Sequence, residues 1–207
     1  MDFKNANELL ALCEEKNLPI SEIMRLREIE LGETTAETVK ERMSRVLDIM
    51  KDAARSPIEK PVKSMGGLIG GEARKLSLHA QNSQGLCDDL LQRAITYAMA
   101  TLETNASMGL IVASPTAGSA GIVPGLMLAM QEHYHFSDDQ IIQALFNASA
   151  IGYLAMRNAT VAGAVGGCQA EVGVASAMAT SAAVELMGGT PKECTYAAST
   201  VLMNMLG

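Results

Sequence analysis

Apolar positions recur at helical spacing along most of this chain, and they divide it into two stretches of different character. In residues 1–63 the apolar stripes are narrow and flanked by charge. Asn5 can cap a helix running to Glu15, with Leu9, Leu10, Leu12 and Cys13 on one face. A second helix is expected from Ser21, with Glu22 in its first turn, to a C-cap near Gly32. A third is expected from Thr35 to Ala54, capped by Thr34 or Thr35, with Val39, Met43, Val46, Leu47 and Met50 forming its stripe. The segment SPIEKPVKSMGGLIGGEARK, with two prolines and four glycines, then reads as a boundary and a loop that could line a site.

Beyond Gly85 the helices become apolar nearly all round. They are expected over Leu86–Leu102, Asp138–Ala155 with Ser137 as cap, Val172–Met187, and Pro191–Leu206 with proline in the first turn. A helix with small residues on every side packs on every side. The pattern therefore predicts an all-α fold, a compact bundle of buried small-residue helices with a charged N-terminal helical layer. The expected division is 1–63 for the amphipathic helices and 64–207 for the helical core.

The longest charge-free run, Thr104 to Gln131, exceeds the roughly 20 residues a membrane helix needs. Pro115, Gly118, Gly121, Pro124 and Gly125 interrupt it, and in lipid they would leave backbone groups unsatisfied. It reads better as two buried elements joined by a Gly/Pro loop, so no membrane span is expected.

Composition sharpens this picture. The 207 residues include three Phe, four Tyr and no Trp, so Ala, Gly, Met and Leu must fill the core, which favours close-packed helices over sheets. A net charge of -7 without a basic patch argues against a nucleic-acid partner. The N-terminus has no secretory pattern, and Cys13, Cys87, Cys168 and Cys194 form no CxxC pair. A cytoplasmic chain with reduced thiols is expected.

Polar residues bracketed by glycine occur at three places: GGLIGGEARK (66–75), SPTAGSAGIVPG (114–125) and RNATVAGAVGGCQAEVG (157–173). Ser114, Thr116 and Ser119 present hydroxyls beside the amides of Ala117 to Gly121. With a helix starting near Val123 or Pro124, these groups could cradle a carboxylate or phosphate. A tight interhelical turn explains the same residues equally well. Cys168 stands between small neighbours that leave room at sulfur for iron, although a buried cysteine can simply be a small hydrophobe. His79, His133 and His135 have no metal-ligand spacing, and the latter two fall in what reads as an exposed interhelical loop.

Taken together, GGLIGGEARKL, NASMG, SPTAGSAGIVPG, RNAT and GGCQAEVGVASAMA resemble the α-chain of the bacterial iron–sulfur L-serine dehydratases, in order through almost the whole chain. The resemblance implies a mostly helical catalytic chain working with a separate β-subunit. It also implies deamination of L-serine to pyruvate and ammonia with a 4Fe–4S cluster, as part of amino-acid degradation and gluconeogenesis. Cys168 matches a cluster ligand of that family. The loop Ser114, Thr116, Ala117, Gly118, Ser119, Ala120 and Gly121 matches a family motif expected to hold the serine carboxylate, and Asn158 is expected to join it. Asn105, Gln169 and Glu171 match further motif positions without an assigned role, and Glu72 and Lys75 are weaker candidates. No residue is identified as the catalytic base.

The resemblance also implies two more cluster cysteines, in a CDPV...PC segment beyond NMLG, and none of Cys13, Cys87 and Cys194 lies in a cluster motif. On this ground the chain is expected to be a truncated α-subunit, inactive alone. The alternative is a non-catalytic fragment serving only as a helical binding or scaffold module. A pyridoxal-phosphate enzyme is a third possibility, but it needs a Schiff-base lysine, for which only Lys75 lies near a glycine motif.

Overall fold

The computed structural model describes residues 1–82, 85 and 87–206, the last without its side chain. Among the described residues every regular element is a helix, as the apolar periodicity predicts. The chain forms two compact units, one of residues 1–45 with 137–207 and the other of residues 46–136.

The first unit holds α1 (Ala6–Lys16), α2 (Ile20–Leu31), the start of α3 (Ala36–Glu59), α7 (Asp138–Asn158), the short α8 (Gly163–Gly166), α9 (Cys168–Leu186) and α10 (Pro191–Leu206). Its helices start where local chemistry supplies an acceptor for free amides. Asn5 Oδ1 accepts from the Glu8 amide at 3.0 Å, and Ser137 and Gln140 form a reciprocal capping box. Glu193 reaches back to the Thr190 amide at 2.7 Å, just ahead of Pro191. As expected of a helix of small residues, α9 is the central one, packed on α7, α8 and α10 and burying Gly173, Ala175, Ala177 and Ala179. Phe3, Leu9, Ile20, Ile23, Ile141 and Phe146 complete this core.

The second unit holds the rest of α3, α4 (Glu72–Asn82), α5 (Asp89–Ala106) and α6 (Ile122–Tyr134), with α5 against both α4 and α6. Glycine allows α5 and α6 to approach closely. A Cβ on Gly121 would lie 2.5 Å from the Ala98 carbonyl oxygen, and one on Gly125 would lie 2.8 Å from that of Ala94. Leu47, Val123, Met127 and Leu128 are buried in this unit.

Several boundaries differ from the sequence expectation. The segment SPIEKPVKSMGGLIGGEARK is not loop throughout, because SPIE ends α3 and EARK opens α4. The helix expected from Leu86 starts at Asp89, with Asp88 Oδ1 accepting the Leu91 amide at 2.8 Å; Leu86 lies outside the described residues. The α3 helix continues past Ala54 and through Pro57 to Glu59, and α9 begins at Cys168, four residues ahead of Val172. No helix among the described residues is long and apolar enough to cross a membrane.

Candidate functional site

The loop between α5 and α6 folds around Ser119. Its Oγ lies 3.1 Å from Thr116 Oγ1 and 3.3 Å from the Ser114 carbonyl oxygen, and it accepts the Thr116 amide at 3.4 Å. Two further amides are taken up locally, Ala120 N–H by the Ala117 carbonyl and Ile122 N–H by that of Ser119. The Ser114–Pro115 peptide is cis. Asn105, on the last turn of α5, donates its side-chain amide to the Ala117 carbonyl at 3.0 Å and so ties the NAS motif to this loop.

These bonds leave a defined set of donors. Ala117 and Gly118 are exposed, and their amides have no acceptor among the described residues. Ser114 is 4% exposed, and its Oγ has no hydrogen-bond partner. A buried hydroxyl without a partner costs roughly 1–3 kcal/mol. A loop that combines such a hydroxyl with free amides suits an acceptor-rich ligand, a carboxylate or phosphate, better than a turn satisfied within itself does.

The GGEARK motif forms the approach to α4. Glu72 Oε2 accepts the Gly70 amide at 2.7 Å. That amide, followed by the amide of Glu72 itself, holds the Glu72 carboxyl below the usual carboxylate range. Lys75 is exposed. Glu103, two residues before Asn105, carries no signal in the sequence that sets it apart. It is buried on α5, and its Oε1 accepts the Ala73 amide at 2.8 Å.

Asn158 and Cys168 belong to the other compact unit. Asn158, the last residue of α7, gives its amide hydrogens to the carbonyls of Lys4 and Leu154, at 2.8 and 2.9 Å, so its Oδ1 is the atom left for a ligand. Cys168 is exposed at the first position of α9, and Gly167 caps that helix without a side-chain hydrogen bond. Gln169 follows it, exposed. Glu171, half-buried in the first turn, packs against Gly163, where a Cβ would come within 2.2 Å of Glu171 Oε2.

A cluster with one open iron needs three cysteine thiolates. Among the described residues no group of three His, Cys, Asp or Glu side chains could hold a metal ion. Cys13 and Cys194 are buried; burial, with Glu185 nearby, pushes their thiols up to about 11 and about 12. At neutral pH both are held in the protonated form. Cys87 is exposed but lies in the other unit from Cys168. Among the described residues these cysteines do not make a cluster site.

The chain is 43% identical over 205 residues to the "Probable L-serine dehydratase, alpha chain" of Bacillus subtilis (strain 168), covering 99% of this chain and 68% of that one. It is 38% identical over 205 residues to the "L-serine dehydratase, alpha chain" of Peptoniphilus asaccharolyticus, covering 99% and 70%. It is 33% identical over 215 residues to "L-serine dehydratase TdcG" of Escherichia coli (strain K12), covering all of this chain and 46% of that one. Residues 15–207 match the family described as "Serine dehydratase alpha chain", and the chain belongs to that family.

Proposed function

We propose that this chain acts as the α-subunit of an L-serine dehydratase, which with a separate β-subunit deaminates L-serine to pyruvate and ammonia in the cytoplasm. The observation that carries the reading is the loop at 114–121, where the orphaned Ser114 hydroxyl and the free Ala117 and Gly118 amides are donors awaiting an acceptor. In this reading they bind the serine carboxylate, with Thr116 and Ser119 shaping the loop.

Neutral donors on the carboxylate acidify the adjacent Cα–H, because they stabilise the negative charge that develops when the proton leaves. Loss of that proton with departure of the β-hydroxyl, β-elimination, gives aminoacrylate. This tautomerises to the imine and hydrolyses to pyruvate and ammonia. Cys168 is proposed as one thiolate ligand of a 4Fe–4S cluster, the remaining ligands coming from outside the residues described above. The chain alone is accordingly expected to turn over no serine.

The test is pyruvate formation by the assembled enzyme, prepared without oxygen from the α-subunit and its β-partner. L-Serine should yield pyruvate and ammonia in equal amounts. No pyruvate from an assembled, iron-loaded enzyme would sink the reading and leave a helical binding module.

A further inference from the structure

A peptide group joins one residue's carbonyl to the next residue's amide in a single plane, and in a trans peptide the two point in opposite directions. Whatever holds the carbonyl therefore aims the N–H. The free Gly118 amide shares its plane with the Ala117 carbonyl, and the free Ala117 amide shares its plane with the Thr116 carbonyl. Both peptides are trans.

Both carbonyls are held. That of Thr116 accepts the Ser114 N–H at 3.4 Å, and that of Ala117 accepts the Ala120 N–H at 3.4 Å and the Asn105 side-chain amide at 3.0 Å. The acceptor is a carbonyl oxygen, so Asn105 must present Nδ2 to it. Ser114 and Ala120 belong to the loop and move with it, and their bonds are long for N–H···O. Asn105 stands in the last turn of α5, which is helical to Ala106, and its bond is the shortest of the three.

We propose that Asn105 is a positioning residue for the loop at 114–121: by holding the Ala117 carbonyl it keeps the Gly118 N–H turned away from itself and ready for the carboxylate. A donor already aimed loses less freedom when the ligand arrives. The tie matters most at Gly118, since glycine loses more backbone freedom on ordering than any other residue. A hydrogen bond accepted at the carbonyl also polarises the peptide and makes its N–H a stronger donor. Asn105 acts through this peptide, not by contact with the substrate. The proposal rests on the reading of the loop as the carboxylate site.

The assembled enzyme carrying Asn105→Ala, Asn105→Asp or Ser114→Ala separates the proposal from that reading. Aspartate has the shape of asparagine, but its carboxylate only accepts hydrogen bonds and cannot hold a carbonyl. Both Asn105 variants should therefore raise the KM for L-serine roughly 3- to 10-fold, the worth of one hydrogen bond, with kcat moving less. A purely structural tie would lower the melting temperature and leave KM alone. The proposal is overturned if Ser114→Ala raises KM and Asn105→Ala does not. It is overturned equally if Asn105→Asp keeps the wild-type KM, since shape alone would then suffice. If Ser114→Ala leaves KM unchanged as well, the carboxylate reading itself falls, and the proposal with it.

Discussion

Thr104 Oγ1 on α5 donates to the Ala53 carbonyl of α3 at 2.8 Å. That carbonyl is open to it because Pro57, inside α3, has no N–H for its helical partner four residues back. The side chain of one helix thus closes the gap that proline opens in another. Thr104→Val should leave the carbonyl unsatisfied and cost about 1–3 kcal/mol. In a Pro57→Ala background the backbone regains the missing N–H, so the same substitution should cost clearly less. Urea unfolding of the four proteins measures the coupling, and strictly additive effects would refute it.

The same proline explains what could and could not be read in advance. Stopping α3 near Ala54 follows from local rules, since proline normally breaks a helix, and the bond that lets it continue comes from a residue 51 positions away. The α9 start was misplaced for a related reason. GGCQAE looks like loop, yet Gly167, at φ 79°, turns the chain so that Cys168 can be the first helical residue. The loop at 114–121 was legible because its hydroxyls and glycines are contiguous. Glu103 was not, because nothing in LETNAS shows that one carboxylate oxygen will meet the Ala73 amide and the other will be buried without a partner. Periodicity finds helices and their buried faces; it does not find which polar atom is left without a partner.

Close approach of α5 and α6 makes two glycines irreplaceable. Gly121→Ala would put its Cβ 2.5 Å from the Ala98 carbonyl oxygen, and Gly125→Ala would lie 2.8 Å from that of Ala94. Neither obstacle is a flexible side-chain end. Each substitution should cost on the order of 1–3 kcal/mol through overpacking. Gly167→Ala meets nothing within 4 Å but must hold a positive φ, so it should cost less than the clash at Gly121. Thermal melts of the three variants check the order, and an undisturbed Gly121→Ala would contradict this packing.

Thiol reactivity should separate the four cysteines into pairs. Cys87 and Cys168 are exposed, whereas Cys13 and Cys194 are buried, with thiols pushed up to about 11 and about 12. Only the thiolate attacks an alkylating reagent. Brief treatment with iodoacetamide at neutral pH should label two sites in the native chain and four after denaturation, read by peptide mass analysis. Early labelling of Cys194 would show that its surroundings are open.

Tyr97 donates its hydroxyl to Glu132 at 2.6 Å, where Arg55 and Arg93 also converge. Burial first, then this bond to a carboxylate, raises the phenol from 10.0 to about 12. A raised folded-state value favours the protonated form in the fold. Its contribution to stability is therefore complete below about pH 10 and is lost as the pH climbs toward 12. Tyr97→Phe should lower stability at neutral pH and flatten this alkaline decline. Denaturant midpoints from pH 8 to 11 test it, and identical slopes for the two proteins would contradict the assignment.

Ser114 separates a ligand site from a structural turn. In a turn, a buried hydroxyl is kept for the bonds it makes within the protein, and Ser114→Ala then destabilises the loop. Here Ser114 Oγ has no partner within the protein, so its removal relieves an unsatisfied polar atom. Ser114→Ala should leave the melting temperature unchanged or raise it slightly. If the hydroxyl serves the serine carboxylate, the same substitution should weaken binding by roughly 5–150-fold, the loss of one hydrogen bond worth about 1–3 kcal/mol. That loss should appear in the KM for L-serine of the assembled enzyme. Gains in stability and losses in affinity from one atom are hard to reconcile with a passive turn. A variant that loses stability while keeping its KM would show that the loop is a turn, and would move the carboxylate site elsewhere.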